Sequence, residues 1–267
     1  MKVIVCVKQV PDTSGKVAVN PDGTLDRASM QTITNPDDLN AVEAALKLKD
    51  ETGCEVIVVT MGPPPAEGML REILARGADR AVLVSGREFG GSDTYATSQI
   101  LAAAINRIGV EEDDVVMCGR QAIDGDTAQV GPQIAEKLHL PQVTYAADIH
   151  KEGNSITVKR MLEDGYMTIK VQTPCLLTCI KELNEPRYMS VGGVFEAYSK
   201  PMDVFDYEAL KDDPLIDPTT IGLKGSPTNI LTSFTPPQKG AGLMLDEGDD
   251  KANCEKLASL LAKKHII

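Results

Sequence analysis

The sequence lacks tryptophan altogether, and aromatic side chains make up only 4% of its 267 residues. A surface that stacks the bases of single-stranded nucleic acid needs several exposed aromatic rings. Positive charge is also scarce, because 39 acidic residues outweigh 27 lysines and arginines and leave a formal net charge of −12. Nucleic acids and anionic membranes both bind basic surfaces, so we expect neither as a partner.

Paired cysteine motifs and long apolar runs are missing as well. No two of the six cysteines form a C-x-x-C pair, and four lie in apolar runs. This pattern predicts buried free thiols in a reducing compartment and no zinc or iron–sulfur site. The opening MKVIVCVKQV is too short and too alternately charged for the apolar region of a signal peptide, and no run reaches membrane length. We therefore expect a cytoplasmic protein without membrane insertion.

Apolar runs alternate with helical patterns over the first 150 residues. The predicted strands cover residues 2–7, 55–61, 80–85, 114–118 and 143–149, and the predicted helices cover residues 35–53, 66–76 and 93–108. Asn35 and Pro36 have the residue types expected for the cap and first position of a helix. Strands separated by helices imply a parallel sheet covered on both faces. The predicted fold class is α/β, with a doubly wound, mostly parallel, Rossmann-like sheet.

The second part of the chain has a different pattern. Residues 155–160 and 166–171 predict an added β-hairpin, and PCLLTCIK predicts one more buried strand. Beyond residue 200 the chain is proline-rich and weakly periodic, and a final helix is predicted at 251–264. We therefore divide the chain into a nucleotide-binding domain (1–200) and an extended C-terminal arm (201–267). The arm is either a disordered tail or wraps over a partner, and scattered apolar residues such as Leu210 and Ile221 favour wrapping.

One turn has the parts of a phosphate site, although no G-x-G-x-x-G or P-loop motif occurs. Ligands of open parallel sheets bind at the carboxyl ends of the strands, where GRQAIDGDTAQVG lies. Gly125 is expected to take a positive φ, and the backbone N–H groups of Thr127 to Val130 would start a helix that can bind phosphate. The alternative is that Asp126 only caps this helix and the turn binds nothing.

Catalytic residues are not indicated, because none of the three histidines lies in a nucleophile motif. Leu183 is unusual in a different way, since it stands among charged and polar residues in CIKELNEPRYMSVGG. An apolar anchor with a polar surround is typical of a docking hot spot. The alternative is a loop whose leucine folds back onto the core.

Five motifs, in this order along the chain, together resemble the small (beta) subunit of electron transfer flavoproteins. They are CVKQVPD, NPDD, GRQAIDGDTAQVGP, KELNEPRY and PPQKGAG. The resemblance implies a heterodimer with a larger alpha subunit, which the proline-rich arm would embrace. It also implies an adenine-nucleotide site in this chain and electron delivery to flavoprotein dehydrogenases.

The resemblance assigns functional residues by position. The implied nucleotide contacts are Cys6, Asn35, Pro36, Asp37, Asp38, Met61, Gly119, Arg120, Gln121, Ala122, Ile123, Asp124, Gly125, Asp126, Thr127, Ala128, Gln129 and Val130. The implied docking residues are Leu183, Asn184, Glu185, Pro186, Arg187 and Tyr188. No catalytic side chain and no metal ligand is implied.

The loop is similar to the electron-bifurcating branch of this family. Members that hold only AMP tend to carry IDDDxNQT, whereas this chain has IDGDTAQVGP, the form of members that hold a second FAD. Glycine in place of the middle aspartate removes one carboxylate, which favours a diphosphate. The resemblance then implies an FAD that accepts hydride from NADH. Electrons would pass to ferredoxin or flavodoxin and, through the alpha-subunit FAD, to an acyl-CoA dehydrogenase-type partner. The alternatives are a beta subunit holding AMP and a free-standing ATP- or AMP-binding sensor.

Overall fold

The computed structural model describes residues 1–12, 31–228, 231 and 240–267. The described residues up to 231 form one unit, and residues 240–267 belong to a second. Part of the predicted arm, including residues 236–239 of PPQKGAG, lies outside the described residues.

Eleven strands occur in the described part of the first unit. They are β1 (Lys2–Cys6), β2 (Gln9–Pro11), β3 (Thr32–Thr34), β4 (Glu55–Met61), β5 (Arg80–Val84), β6 (Val115–Gly119), β7 (Gln142–Glu152), β8 (Ser155–Met161), β9 (Tyr166–Gln172), β10 (Cys175–Cys179) and β11 (Met202–Phe205). Nine of them form one sheet in the order β11-β5-β4-β1-β6-β10-β7-β8-β9, while β2 and β3 pair with each other. The first seven strands in that order are parallel, and β8 and β9 extend the sheet as an antiparallel hairpin. The predicted fold class is confirmed.

Helices of the first unit lie on both faces of this sheet. The first unit contains α1 (Pro36–Thr52), α2 (Glu67–Arg76), α3 (Thr94–Ile108), α4 (Val130–Lys137), α5 (Val191–Glu196), α6 (Tyr207–Leu210) and α7 (Gly222–Gly225), and the second unit contains α8 (Asp250–Lys263). Alternate side chains of β1 point to opposite faces, so Val3 and Val5 pack with α1 and α2, and Ile4 and Cys6 with α3 and α4. The sheet is thus covered on both sides, which explains its continuous apolar strands.

The segment after residue 200 differs from its predicted pattern. β11 pairs in parallel with β5 and forms the edge of the sheet, and Phe205, Leu210 and Ile221 are buried in the first unit. Leu210 and Ile221 therefore cover the sheet of this chain and are not available to a partner. A strand of four residues is too short to show a periodicity in the sequence.

The chain order reverses beside β1. β4 lies on one side of β1 and β6 on the other, so the carboxyl ends of three parallel strands meet at one edge with a crevice between them. The segments that follow these strands, together with the start of α1, make up the candidate site.

In the second unit, α8 begins at Asp249, whose side chain caps it by accepting from Ala252 N at 2.8 Å. No residue of α8 is buried. None of the described helices is both long enough and apolar enough to cross a membrane.

Candidate functional site

The first turn of α1 is bonded to the loop that follows β6. Asn35 Nδ2 donates to Gln121 O at 2.8 Å, and Asn35 Oδ1 accepts from Ile123 N at 3.1 Å. Asn35 stands at the cap position of α1, but its side chain makes no capping bond to the helix. The predicted capping role is wrong, because both polar atoms of the amide are used by the loop. Two motifs that are 86 residues apart in sequence therefore meet at one place.

Asp38 links the carboxyl ends of β1 and β6. Its carboxylate accepts from Lys8 N at 2.8 Å through Oδ2 and from Gly119 N at 2.9 Å through Oδ1. A Cβ atom on Gly119 would lie 2.6 Å from the backbone of Asp37 and Asp38, and closer still to Asp38 Oδ1. Only glycine lets α1 approach the end of β6 this closely.

Two cations offset the acidic character of the site. Lys8 Nζ contacts both carboxylate oxygens of Asp124, at 2.7 and 2.8 Å, and Arg120 Nε lies 3.3 Å from Asp37 Oδ2. Burial raises the pKa of Asp37, although the charge of Arg120 acts in the opposite direction. Lys8 was missed by the sequence analysis. Its position directly after β1, at the same edge as the predicted contacts, was the signal that could have found it.

The loop also presents unpaired backbone donors. α4 begins at Val130, and residues 127–129 lead into it. Within the described part of the chain, the N–H groups of Thr127, Ala128, Gln129 and Val130 donate no hydrogen bond. Such donors at a helix start concentrate partial positive charge and suit an anion.

One expectation for this loop is wrong, and the alternative given for Asp126 does not hold. Gly125 does not take a positive φ; the left-handed residues are Asp126 and Ala128, each with φ 51°. Asp126 does not cap α4, because its carboxylate accepts from Gln121 Nε2 at 2.7 Å and the cap position is Gln129. Aspartate tolerates the left-handed region through local hydrogen bonds, so a glycine is not needed for that turn. A Cβ atom on Gly125 would meet nothing within 4 Å.

The remaining predicted contacts lie at the same edge. Cys6 and Cys118 are neighbours in register on β1 and β6. Burial raises the pKa of Cys6 to about 12 and that of Cys118 well above its usual value, so both are neutral thiols without nucleophilic character. Met61 ends β4 and packs against the core on the α3 side. Thr94 at the start of α3 was not predicted, and its hydroxyl donates to Gln129 Oε1 at 3.0 Å. Among the described residues, no group of three or more histidine, cysteine, aspartate or glutamate side chains is placed to hold a metal ion.

The predicted docking segment lies against α1. Asn184 exchanges side-chain hydrogen bonds with Asn40: Asn40 Nδ2 donates to Asn184 O at 2.7 Å, and Asn184 Nδ2 donates to Asn40 O at 3.0 Å. Arg187 donates three bonds of 2.9–3.1 Å to the carboxylate of Glu43. Leu183 is half-buried and packs against the core. The side chain of Leu183 is therefore only partly available at the surface.

An exposed apolar surface continues from this segment. Tyr188, Val191, Phe195 and Tyr198 are 92%, 79%, 79% and 76% exposed, and we call them the aromatic face. Their base is fixed, because a Cβ atom on Gly193 would collide with the backbone of α2, and Arg71 Nη1 donates to Ala197 O at 2.9 Å. A fixed apolar surface of this kind marks an interaction site more often than a chance exposure.

Comparison with known proteins shows which protein family the chain resembles. The model of the electron transfer flavoprotein domain matches residues 22–210. The chain is 69% identical to the acryloyl-CoA reductase electron transfer subunit gamma of Anaerotignum propionicum, over the full length of both. It is 54% identical to the caffeyl-CoA reductase-Etf complex subunit CarD of Acetobacterium woodii, also over the full length of both. Its identity to the electron transfer flavoprotein subunit beta of Clostridium acetobutylicum is 48%, again over both full chains.

Proposed function

The chain belongs to the electron transfer flavoprotein family as a beta subunit, and on that premise we propose that it binds an FAD at the loop of residues 119–130. Unpaired N–H groups at the start of α4 carry this proposal, because they bind a diphosphate without a basic side chain. The ion pairs of Lys8 and Arg120 support it, since they reduce the negative field that phosphates would meet.

The residues of this site have separate roles in the proposal. Gly125 leaves open space where a side chain would stand, and Thr127 to Val130 offer the donors. Asn35 and Asp38 hold the loop in place, while Cys6 and Met61 line the edge of the sheet beside it. When bound, FAD supplies the hydride and electron chemistry, accepting from NADH and passing electrons to ferredoxin or flavodoxin and to the alpha-subunit FAD. The chain itself binds, orients and shields the cofactor.

We further propose that residues 183–188 and the aromatic face dock an acyl-CoA dehydrogenase-type flavoprotein. One relative is named as an electron transfer subunit of acryloyl-CoA reductase, and another as a subunit of a caffeyl-CoA reductase-Etf complex. Exposed tyrosine and phenylalanine on a fixed base are typical of interface hot spots. The described part of the arm beyond residue 240 is proposed to contact the alpha subunit.

A count of flavin in the purified heterodimer tests the cofactor. We expect two FAD for each heterodimer and reduction of both by NADH. One FAD, with AMP released on denaturation, would instead identify the beta subunit as a holder of a structural nucleotide. A stable subunit that needs no alpha partner would favour the sensor alternative.

A single substitution assigns the second flavin to the loop. Gly125→Asp adds a carboxylate in open space, so we expect loss of one FAD by charge repulsion without loss of folding. Gly165→Asp is the matched control, because its Cβ atom would also meet nothing within 4 Å, in the hairpin turn. Retention of two FAD in Gly125→Asp would place the second flavin elsewhere.

A further inference from the structure

Asp38 is a buried carboxylate without a cationic partner. Its residue is 6% exposed, and no lysine, arginine or histidine among the described residues forms an ion pair with it. The two hydrogen bonds to its oxygen atoms from Lys8 N and Gly119 N come from backbone amides. In the part of the chain that the structure describes, only the dipoles of N–H groups, and no cation, stabilise a negative charge on Asp38.

The titratable groups that face Asp38 from the surrounding elements do not supply the missing positive charge. Within α1, Asp37 repels it and is itself paired with Arg120. The three strands beside it present the neutral thiols of Cys6, Cys118 and Cys179. The ammonium group of Lys8 is directed to Asp124. Burial raises the pKa of Asp38 to about 7, although N–H donors from Lys8, Asn35 and Gly119 act in the opposite direction.

We propose that binding of a phosphate-bearing nucleotide to the loop of residues 119–130 is coupled to uptake of a proton by Asp38. The start of α4, where the phosphates are proposed to bind, packs on the end of β6, because a Cβ atom on Gly131 would lie 2.6 Å from Cys118 Sγ. The next residue, Gly119, donates to Asp38, so phosphates bound there add negative charge near an already unfavourable carboxylate. Linkage is reciprocal, so protonation of Asp38 must strengthen nucleotide binding by the same factor as the nucleotide favours protonation. This inference rests on the proposed nucleotide site and adds pH regulation to it.

The test is calorimetric titration of FAD into the flavin-depleted heterodimer at pH 7.5, in two buffers of different ionisation enthalpy. FAD suits this test because its diphosphate has no group that titrates near neutral pH, unlike a phosphate monoester. We expect the heat to differ between buffers by an amount that reports uptake of a fraction of a proton. We also expect binding several-fold weaker at pH 8.5 than at pH 6.5.

Two variants test whether Asp38 is the residue that takes up the proton. In Asp38→Asn the buffer dependence should disappear, whereas Asp203→Asn should retain it, because Asp203 lies on β11 and is paired with Arg80. Equal heats in both buffers for the unmodified heterodimer, or equal proton uptake in Asp38→Asn, would overturn the coupling. The first of these results needs no variant, so it stands even if Asp38→Asn does not fold. Uptake of a single FAD for each heterodimer would overturn the proposed site and the coupling with it, whereas uptake of two FAD without buffer dependence overturns the coupling alone.

Discussion

Gly119 stands where β6 meets the first turn of α1, and the packing there leaves no space for a side chain. We expect Gly119→Ala to lower the free energy of unfolding by about 1–3 kcal/mol, because the backbone of α1 must move away from the sheet. Gly125→Ala is the matched control in the same loop and should change it by less than about 0.5 kcal/mol. Chemical denaturation of the heterodimer measures both. Equal effects would contradict the close packing of α1 on β6.

Asp38 also predicts a pH dependence of stability. Burial raises its pKa from 3.8 to about 7 in the folded chain, so the folded state holds a proton that the unfolded state releases in this window. This contribution to stability is fully present below about pH 4 and is lost as the pH rises through about 7. We expect the free energy of unfolding to fall by on the order of a few kcal/mol between these limits. Denaturation at a series of pH values should show the fall, and Asp38→Asn should flatten it. An equal slope between pH 4 and 7 in Asp38→Asn and in the unmodified heterodimer would show that Asp38 is not protonated in the folded chain.

At the scale of elements, α1 serves two places at once. Its first turn holds the loop after β6 through Asn35 and Asp38, and its following turns hold the docking segment through Asn40 and Glu43. The geometry of the candidate site and that of the docking segment therefore depend on the same rigid helix.

The three hydrogen bonds that Arg187 donates to Glu43 can be tested directly. Glu43 is buried and accepts three bonds from Arg187, so we expect Glu43→Gln to cost about 2 kcal/mol or more of unfolding free energy. Asp50→Asn removes only the exposed partner of the same arginine and should cost less than about 1 kcal/mol. Denaturation, together with hydrogen exchange of residues 184–188, measures the loss of order. A larger effect of Asp50→Asn would contradict the anchoring role of Glu43.

A substitution in the aromatic face should weaken partner binding without changing the stability of the fold. Because Phe195 is 79% exposed, we expect Phe195→Ser to change the free energy of unfolding by less than about 0.5 kcal/mol. Binding of the proposed acyl-CoA dehydrogenase-type partner should weaken by about tenfold or more. Val204→Ser, at an exposed apolar residue of β11, provides the control. If both variants bind the dehydrogenase equally well, Phe195 is not a docking residue.

At the scale of the whole molecule, the two units differ in how much they bury. No residue of α8 is buried, and Leu243 and Met244 before it are largely exposed. A helix of 14 residues that buries none of them is only marginally stable in water. We expect limited proteolysis to cut the isolated chain within residues 240–267 and the heterodimer much more slowly there. The hairpin turn at residues 162–165 should be cut at similar rates in both. Equal cutting of residues 240–267 in the two samples would contradict a contact with the alpha subunit.

The sequence by itself determined the doubly wound sheet, because strands separated by helices leave few topologies in which both faces are covered. It also indicated the hairpin, the buried thiols and the family. The family could be identified because five short motifs occur together in a fixed order. Tertiary structure alone decided which residues of those motifs meet. Asn35 was predicted as a cap and instead holds a loop 86 residues away, and Gly125 was assigned a backbone conformation that Asp126 and Ala128 take.

The reason is that local sequence limits local conformation, whereas hydrogen-bond partners across a sheet depend on register and helix placement. Lys8 illustrates the difference. Its position after β1 places it at the edge of the site, but only the order β4-β1-β6 brings its ammonium group to Asp124, 116 residues further along the chain. β11 was missed for the same reason, because four residues become a strand only when an edge of the sheet is there to pair with them.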